Sequence, residues 1–271
     1  KNPGPAVQAM KNVCGYDDPY TISDLVFKFG PRINAAGRIK HASAAVELLA
    51  TTKPELAIEV GKLVNNNNIE RQNRDKQVLE EALKKIERDN STDNCIVCYD
   101  EAWHKGVIGI VASRIIEKYY LPTVLFTKSE GKWVGSARSI PGFDVYSAIQ
   151  QCEHNLLGFG GHKYAAGLTI DPDKIEDFKR DFKTIAAKTL TEEDMVQRLS
   201  IDSEITLPEI DDKMVRILNQ FAPFGPQNMR PVFCSKNCRI VGTPKIVGKN
   251  HLKFRVSQGG KIFDAIGFDL G

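Results

Sequence analysis

Residues 95–139 read CIVCYDEAWHKGVIGIVASRIIEKYYLPTVLFTKSEGKWVGSARS, and this stretch decides the fold. Apolar residues run together, then recur at helical spacing, then run together twice more around the turn Glu130-Gly131. The predicted elements are the strand Cys95–Tyr99, the helix Val107–Tyr119 and the strands Thr123–Phe126 and Trp133–Ala137. A helix set between apolar strands is typical of an α/β domain, in which helices cover a sheet.

The same pattern continues toward the carboxyl end. A helix is expected after Asp144, then a strand over Gly167–Ile170, then a helix that ends near Leu190. We therefore predict an α/β domain over residues 94–190, roughly a hundred residues and hence one core.

A long helical pattern precedes this domain. It begins at Pro54, a residue favoured in the first turn of a helix, and predicts a connector helix over residues 54–90 of ~50 Å. Its middle, Asn65–Gln77, is almost wholly polar, so the helix is expected to cross open space and join two domains. Residues 1–53 are read as a linker that leads out of a preceding domain.

Short β segments dominate the last part of the chain. They are separated by glycine turns, which favours a small β-barrel of the OB type over residues 198–271, expected to be incomplete. The predicted strands are Val232–Cys234, Arg239–Val241, Leu252–Val256 and Ile262–Ile266.

Composition narrows the class of protein. The chain has 271 residues, 37 basic and 34 acidic, for a net charge of +3, so any nucleic-acid site must come from local placement of charge. Six cysteines with a single C-x-x-C, Cys95 to Cys98, favour reduced thiols over disulfides or zinc. No signal peptide or membrane-spanning run is found, so a cytoplasmic protein with no membrane partner is expected.

Two glycine-flanked loops are candidates for binding phosphate. In Gly135-Ser136-Ala137-Arg138-Ser139, the hydroxyls and the guanidinium suit phosphate oxygens. In Gly158-Phe159-Gly160-Gly161-His162, the backbone of Gly160 and Gly161 can approach a ligand closely, and His162 offers a donor. The alternatives are a solvated arginine at a strand end and a plain glycine turn.

Two further groups are weaker candidates. His104 and Lys105 open the helix after Trp103, where free amides attract anions; alternatively, Trp103 packs and His104 caps the turn. On the long helix, polar side chains share one stripe, which suits contacts to bases or backbone but also suits a solvated connector. The members of the stripe are Asn65, Asn68, Arg71 and Gln72.

Residues for catalysis are not found. The sequence has no phosphate-binding G-x-x-x-x-G-K-[ST] loop, no H-E-x-x-H and no Asp and His at metal-ligand spacing. Phosphodiester hydrolysis usually needs metal ions. We therefore assign no catalytic residue, no metal ligand and no bound cofactor to this chain, and expect it to hold a substrate without cutting it.

Taken together, several motifs resemble the RecJ family, single-strand-specific DNA exonucleases among the DHH proteins. Order and spacing match as well as composition, and the resemblance covers essentially the whole chain. The motifs are residues 30–38 (GPRINAAGR), 68–72 (NIERQ), 103–114 (WHKGVIGIVASR), 135–139 (GSARS), 159–167 (FGGHKYAAG) and 223–228 (PFGPQN).

The resemblance implies a manganese- or magnesium-dependent 5′-to-3′ exonuclease of DNA repair and recombination, whose DHH domain holds the metal. This sequence has no adjacent His pair, so that domain is expected to be absent and the chain alone inactive. The α/β domain would then be the DHH-associated domain. Single-stranded DNA is the implied partner, and other DNA repair proteins are further candidate partners. The implied DNA-binding residues add Arg32, Asn34 and Arg38 to Asn65, Asn68, Arg71, Gln72, His104, Lys105, Ser136, Arg138, Ser139, Gly160, Gly161 and His162.

Two other classes of function stay open at this point. One is a nucleic-acid-binding module that never had a catalytic domain. The other is a DHH-family phosphoesterase acting on short oligonucleotides, although neither the long helix nor the OB-like tail would serve so small a substrate.

Overall fold

The computed structural model describes residues 3–15, 20–89 and 92–271. The predicted segments 1–53 and 54–90 include residues 1, 2, 16–19 and 90, which lie outside the described residues. The chain divides into two compact units, Lys1–Gln197 and Arg198–Gly271, and each is described by itself.

Helices make up the first part of the amino-terminal unit. Three short helices pack around the first half of one helix of 35 residues, and their shared core includes Met10, Leu48 and Val64. A fourth, very short helix and a π-helical turn lie beside them. The elements are α1 (Pro5–Cys14), α2 (Ile22–Asp24), the π-turn Leu25–Phe29, α3 (Gly30–Ile39), α4 (Ser43–Ala50) and α5 (Pro54–Arg88).

An α/β layer follows in the same unit. Its five-stranded sheet has the order β1-β2-β3-β5-β4, with β1 and β2 parallel and the other pairs antiparallel. The elements are β1 (Ile96–Tyr99), α6 (Lys105–Tyr119), β2 (Thr123–Ser129), β3 (Lys132–Arg138), α7 (Val145–Gln151), the 3₁₀ turn Glu153–Asn155, β4 (Leu156–His162), β5 (Ala165–Ile170), the 3₁₀ turn Pro172–Lys174 and α8 (Ile175–Thr189).

The two faces of this sheet have different covers. Side chains alternate along each strand, so Ile96 and Leu125 point to α5 and α6, whereas Val97 and Val124 point to α7 and α8. The fully buried rings of Phe178 and Phe182 stack at 5.5 Å between centroids on the second face. The predicted long helix and α/β domain are confirmed.

Two buried cysteines lie at β1, Cys95 just before the strand and Cys98 within it. Cys95 and Cys98 belong to the cores on opposite faces of the sheet. Burial raises the pKa of Cys95 to about 12 and that of Cys98 to about 11, so both thiols stay protonated near neutral pH.

Both glycine segments predicted as loops lie largely in strands instead. Gly135–Arg138 lies within β3, and Gly158–His162 lies within β4, where it pairs with β5. The prediction of a loop at Gly158–His162 was wrong because the glycines carry no side chains, so Phe159 is the one apolar side chain in this segment and no alternation can be recognised. Phe159 packs on the ring of Tyr146 at 5.6 Å between centroids.

The carboxyl-terminal unit is a small, mainly β structure. β8, β9 and β10 form an antiparallel sheet, and β6 pairs in parallel with β7. The predicted small β domain after the α/β domain is confirmed. Among the described residues 198–271 its three-stranded and two-stranded sheets do not pair with each other, so no closed barrel forms there. The elements are β6 (Ser203–Glu204), the 3₁₀ turn Leu207–Glu209, α9 (Asp212–Gln220), β7 (Phe233–Cys234), β8 (Arg239–Val247), β9 (His251–Gln258) and β10 (Lys261–Gly267).

Within residues 3–15, 20–89 and 92–271, every helix is too short or too polar to cross a bilayer.

The start of α7 gives a first prediction. Asp144 caps this helix, since its Oδ1 accepts from the backbone N–H of Ser147 at 3.0 Å. Asp144→Ala is expected to destabilise the unit by about 1 kcal/mol, the usual loss of an N-cap, and to lower Tm by roughly 2–4 °C. Thermal unfolding followed by circular dichroism measures the change. The exposed Asp173→Ala is the control, and equal shifts for both variants would contradict a capping role.

Candidate nucleic-acid interface

Arg138 lies at the end of β3, against the first turns of α6. Its Nη1 donates to Ser136 Oγ at 3.1 Å and to the Ala137 carbonyl at 2.8 Å. A Cβ added to Gly109 of α6 would lie 2.7 Å from Arg138 Nη2 and 2.8 Å from Ser136 Oγ. Glycine thus lets the helix approach the guanidinium. Burial, and after it the charge of Arg38, lower the pKa of Arg138, which nevertheless stays charged.

A cavity of about 180 Å³ lies between α3, α5 and α6. Because a liquid water occupies about 30 Å³, a phosphate group could replace several waters there. Arg71 reaches this cavity with a side chain that is only 13% exposed. Its Nη2 donates to Asn68 Oδ1 at 3.1 Å, whereas its buried Nε has no hydrogen-bond partner within the described ranges. The residues that line the cavity are Pro31, Asn34, Arg38, Arg71 and Ile110.

We call Arg38, Arg71, Arg114 and Arg138 the guanidinium cluster. Arg38 lies near enough to Arg71 and Arg138 for its charge to lower both of their pKa values, and Arg114 acts on Arg71 in the same way. In the part of the chain that the structure describes, every ion pair of the cluster is made to Asp75. Four positive charges beside one carboxylate favour binding of an anion.

An uncovered part of the sheet adjoins the cluster. We call this surface the open face and define it by Gly158, Gly160 and Gly167 of β4 and β5. On this face, one row across β4, β5 and β3 consists of Gly160, Gly167 and Ser136. The next row on the same face consists of His162, Ala165 and Arg138. His162 and Arg138 are therefore two strands apart, about 10 Å. A Cβ on Gly158 or Gly160 would meet no atom of the described chain within 4 Å.

Gly161 differs from its neighbour Gly160. Its φ is +153°, and a Cβ there would lie 2.5 Å from the Cα of Ala166 and even closer to the Ala165 carbonyl oxygen. Gly161 therefore allows β4 and β5 to pair, whereas Gly160 keeps the open face free of side chains.

The amino-terminal end of α6 uses its polar groups locally. His104 is the N-cap, and its Nδ1 accepts from the N–H of Gly106 at 3.1 Å, while burial lowers its pKa. Trp103 is buried and donates from Nε1 to Glu81 at 3.0 Å. Lys105 forms an exposed ion pair with Glu130. These contacts agree with the alternative in which Trp103 packs and His104 caps the turn. Contact of His104 and Lys105 with DNA stays a prediction.

The polar stripe on α5 is only partly at the surface. Asn65 accepts from Arg32 Nε at 2.8 Å, and Arg32 also donates to the Lys28 carbonyl, so these two side chains join α3 to α5. Gln72 is exposed, whereas Asn68 is 2% exposed. The expectation that this part of the helix crosses open space was wrong, because α3 and α6 pack against it.

The remaining predicted residues differ in orientation. Ser139 donates its hydroxyl hydrogen to the Phe143 carbonyl at 2.8 Å, which stabilises the turn after β3. His162 is exposed, and its Nδ1 accepts from the N–H of Tyr164. Asn34 and Arg38 line the cavity, and both are exposed.

Three residues of the site were missed by sequence reasoning. They are Asp75, Arg114 and Gly109. The spacing of Asp75 four residues after Arg71 on one helix was the available signal, since residues at that distance share a face.

Across residues 3–15, 20–89 and 92–271, no group of three or more His, Cys, Asp or Glu side chains could hold a metal ion. The described residues therefore do not fit the metal that the resemblance implies.

Two segments of the chain match known domain families. Residues 92–188 match the DHHA1 domain, and residues 201–271 match the RecJ OB domain. The single-stranded-DNA-specific exonuclease RecJ of Bacillus subtilis is 33% identical over 90% of this chain and 32% of its own length. That of Haemophilus influenzae is 34% identical over 93% of this chain and 46% of its own length.

A solved structure gives the same result. RecJ of Thermus thermophilus in complex with Mn²⁺ superposes with a TM-score of 0.80 and 28% identity, covering 96% of this chain and 38% of that protein. The chain thus spans less than half the length of these relatives. It is a homologue of part of RecJ, with a DHHA1 domain followed by a RecJ OB domain.

Proposed function

We propose that this chain is the substrate-binding part of a single-stranded DNA exonuclease, in which the guanidinium cluster binds backbone phosphates. The observation that carries the proposal is the cluster itself. Of its four guanidiniums, Arg71 and Arg114 pair with Asp75, and no ion pair of Arg38 or Arg138 is found among the described residues. Guanidiniums match phosphate oxygens in charge and geometry. The names of the relatives support single-stranded DNA as the substrate.

Within this surface we assign the terminal phosphate to Arg138 and Ser136. Both face α6 at the border of the open face, and Arg138 is more buried than an ordinary surface arginine. Poor screening by water strengthens its attraction for a doubly charged terminal phosphate. The open face, with no side chains at Gly158 and Gly160, leaves room for the adjoining nucleotide, and His162 lies at its edge.

The whole exonuclease activity is part of the same proposal. A manganese- or magnesium-dependent, 5′-to-3′ activity in DNA repair and recombination follows from the resemblance, and the Mn²⁺ and Mg²⁺ complexes of Thermus RecJ support the metal. Because the described residues offer no metal site, we expect this chain alone to bind but not to degrade DNA. Manganese-dependent degradation of single-stranded DNA by the pure chain would contradict this.

Salt dependence tests the binding of phosphates. Each phosphate contacted on a single strand contributes about −0.7 to the slope of log K against log salt. With three or four guanidiniums engaged, we expect a slope of roughly −2 to −3 for a 5′-phosphorylated 12-mer, measured by fluorescence anisotropy. A slope near zero would contradict the proposal. A dinucleotide that binds as tightly as the 12-mer would favour a phosphoesterase of short oligonucleotides.

A further inference from the structure

Asp75 is the buried acid that pairs with two members of the guanidinium cluster, Arg71 and Arg114. It lies on α5 and is 1% exposed. Its Oδ2 lies 3.1 Å from Arg114 Nη2 and 3.6 Å from Arg71 Nη1. Neither carboxylate oxygen makes a well-directed hydrogen bond to any described residue. A buried carboxylate costs free energy unless close ion pairs and hydrogen bonds offset its desolvation, so such a residue is retained more readily where it has a function.

The cost of burying charge appears in the pKa values of both Asp75 and Arg71. Burial raises the pKa of Asp75, although the charges of Arg114 and Arg71 oppose this shift. Burial also lowers the pKa of Arg71, which Asp75 opposes. Each charge is thus held in a place that disfavours charge, and a neutral pair of similar size would satisfy packing alone equally well.

Asp75 and Asn68 fix two of the three nitrogens of Arg71. Nη2 donates to Asn68 Oδ1, and Nη1 lies nearest the carboxylate. The two acceptors lie on the same helix, one turn before and one turn after Arg71, and both are almost fully buried. An arginine held on both sides has few rotamers left, so little entropy is lost when its guanidinium binds a phosphate.

We propose that Asp75 is a positioning residue, which fixes Arg71 and Arg114 in the orientation that binds the DNA backbone. The inference rests on the proposed function. It opposes the simplest electrostatic expectation, because a carboxylate near phosphates should weaken DNA binding by repulsion. Removing its charge should then strengthen binding if Asp75 acts by charge alone, and weaken binding if Asp75 acts by position.

Asp75→Asn separates these two effects, because it removes the charge and keeps the shape. We expect about a tenfold loss of affinity for the 12-mer, and a slope of log K against log salt that is smaller in magnitude by about 0.7, since Arg71 no longer holds its phosphate. Asp75→Glu, which keeps the charge but lengthens the side chain, should recover part of the affinity. Unchanged or higher affinity for Asp75→Asn, at an unchanged slope, would overturn the proposal.

A double-mutant cycle with Arg71→Ala links the effect to one guanidinium. If Asp75 acts through Arg71, then Asp75→Asn has little further effect once Arg71 is absent. If the losses of affinity from Asp75→Asn and Arg71→Ala were additive, Asp75 would not act through Arg71. Should Asp75→Asn fail to fold, Asn68→Ala removes the other acceptor without a change in charge and must lower affinity in the same direction. Wild-type chain that does not bind the 12-mer would instead reject the proposed function itself.

Discussion

Arg138→Ala is expected to weaken binding of a 5′-phosphorylated single strand about 10- to 100-fold. A hydrogen bond to a charged group contributes about 1.5–3 kcal/mol, and each 1.4 kcal/mol corresponds to roughly a tenfold change in Kd. Arg138 is held in place by its hydrogen bond to Ser136 and by its close approach to Gly109. Anisotropy of a 12-mer labelled at its 3′ end measures the loss without disturbing the 5′ phosphate.

Two comparisons make this result specific. Arg180→Ala removes an arginine from α8, on the other face of the sheet, where it pairs with Asp177 at 2.9 Å, and it should leave Kd unchanged. A 5′-hydroxyl 12-mer should lose less affinity than the phosphorylated one when Arg138 is removed. Equal losses for the two oligonucleotides would remove the terminal-phosphate assignment, although general backbone binding would survive.

Gly161→Ala should destabilise the amino-terminal unit by about 3 kcal/mol or more. The new methyl group would collide with the backbone of β5, and overpacking of this kind costs about 1–3 kcal/mol before the strained φ of +153° adds its own cost. For a unit of this size, about 3 kcal/mol lowers Tm by roughly 6–12 °C. Scanning calorimetry gives the measurement.

Gly160→Ala is the matched control for this change. The added methyl group points to the open face and meets no described atom within 4 Å, so stability should change by less than about 0.5 kcal/mol. Binding of the 12-mer should nevertheless fall if the nucleotide lies on this face. A Gly161→Ala variant as stable as Gly160→Ala would contradict the close pairing of β4 with β5.

The order of helices and strands was predictable because elements that pack in a core have a characteristic spacing of apolar residues. Val107 to Tyr119 shows the helical period of an element that covers a sheet, and Thr123 to Phe126 shows the continuous apolar run of a strand buried on both faces. β4 could not be predicted in this way. Its function as we propose it requires an empty face, and glycines at Gly158 and Gly160 leave no alternation to read.

The residue types of the site could be predicted from the sequence, but the burial of its members could not. Arg71, Arg138 and His162 stood out as residue types suited to phosphate. Asp75 did not, because the polar middle of α5 was read as solvated. In the structure, a stripe with three- and four-residue steps runs unbroken through both apolar and polar residues, so the polar ones are buried with the rest. Its members are Val64, Asn68, Arg71, Asp75, Val78 and Ala82, of which Arg71 is the one partly exposed.

Nuclear magnetic resonance of the arginine side chains tests the central claim most directly. In a titration with a 5′-phosphorylated single-stranded 12-mer, the Nε–H signals of Arg38, Arg71 and Arg138 should shift together and saturate at one Kd, while that of Arg180 stays in place. A titration that leaves these three signals unmoved at saturating DNA would contradict binding of the strand by the guanidinium cluster.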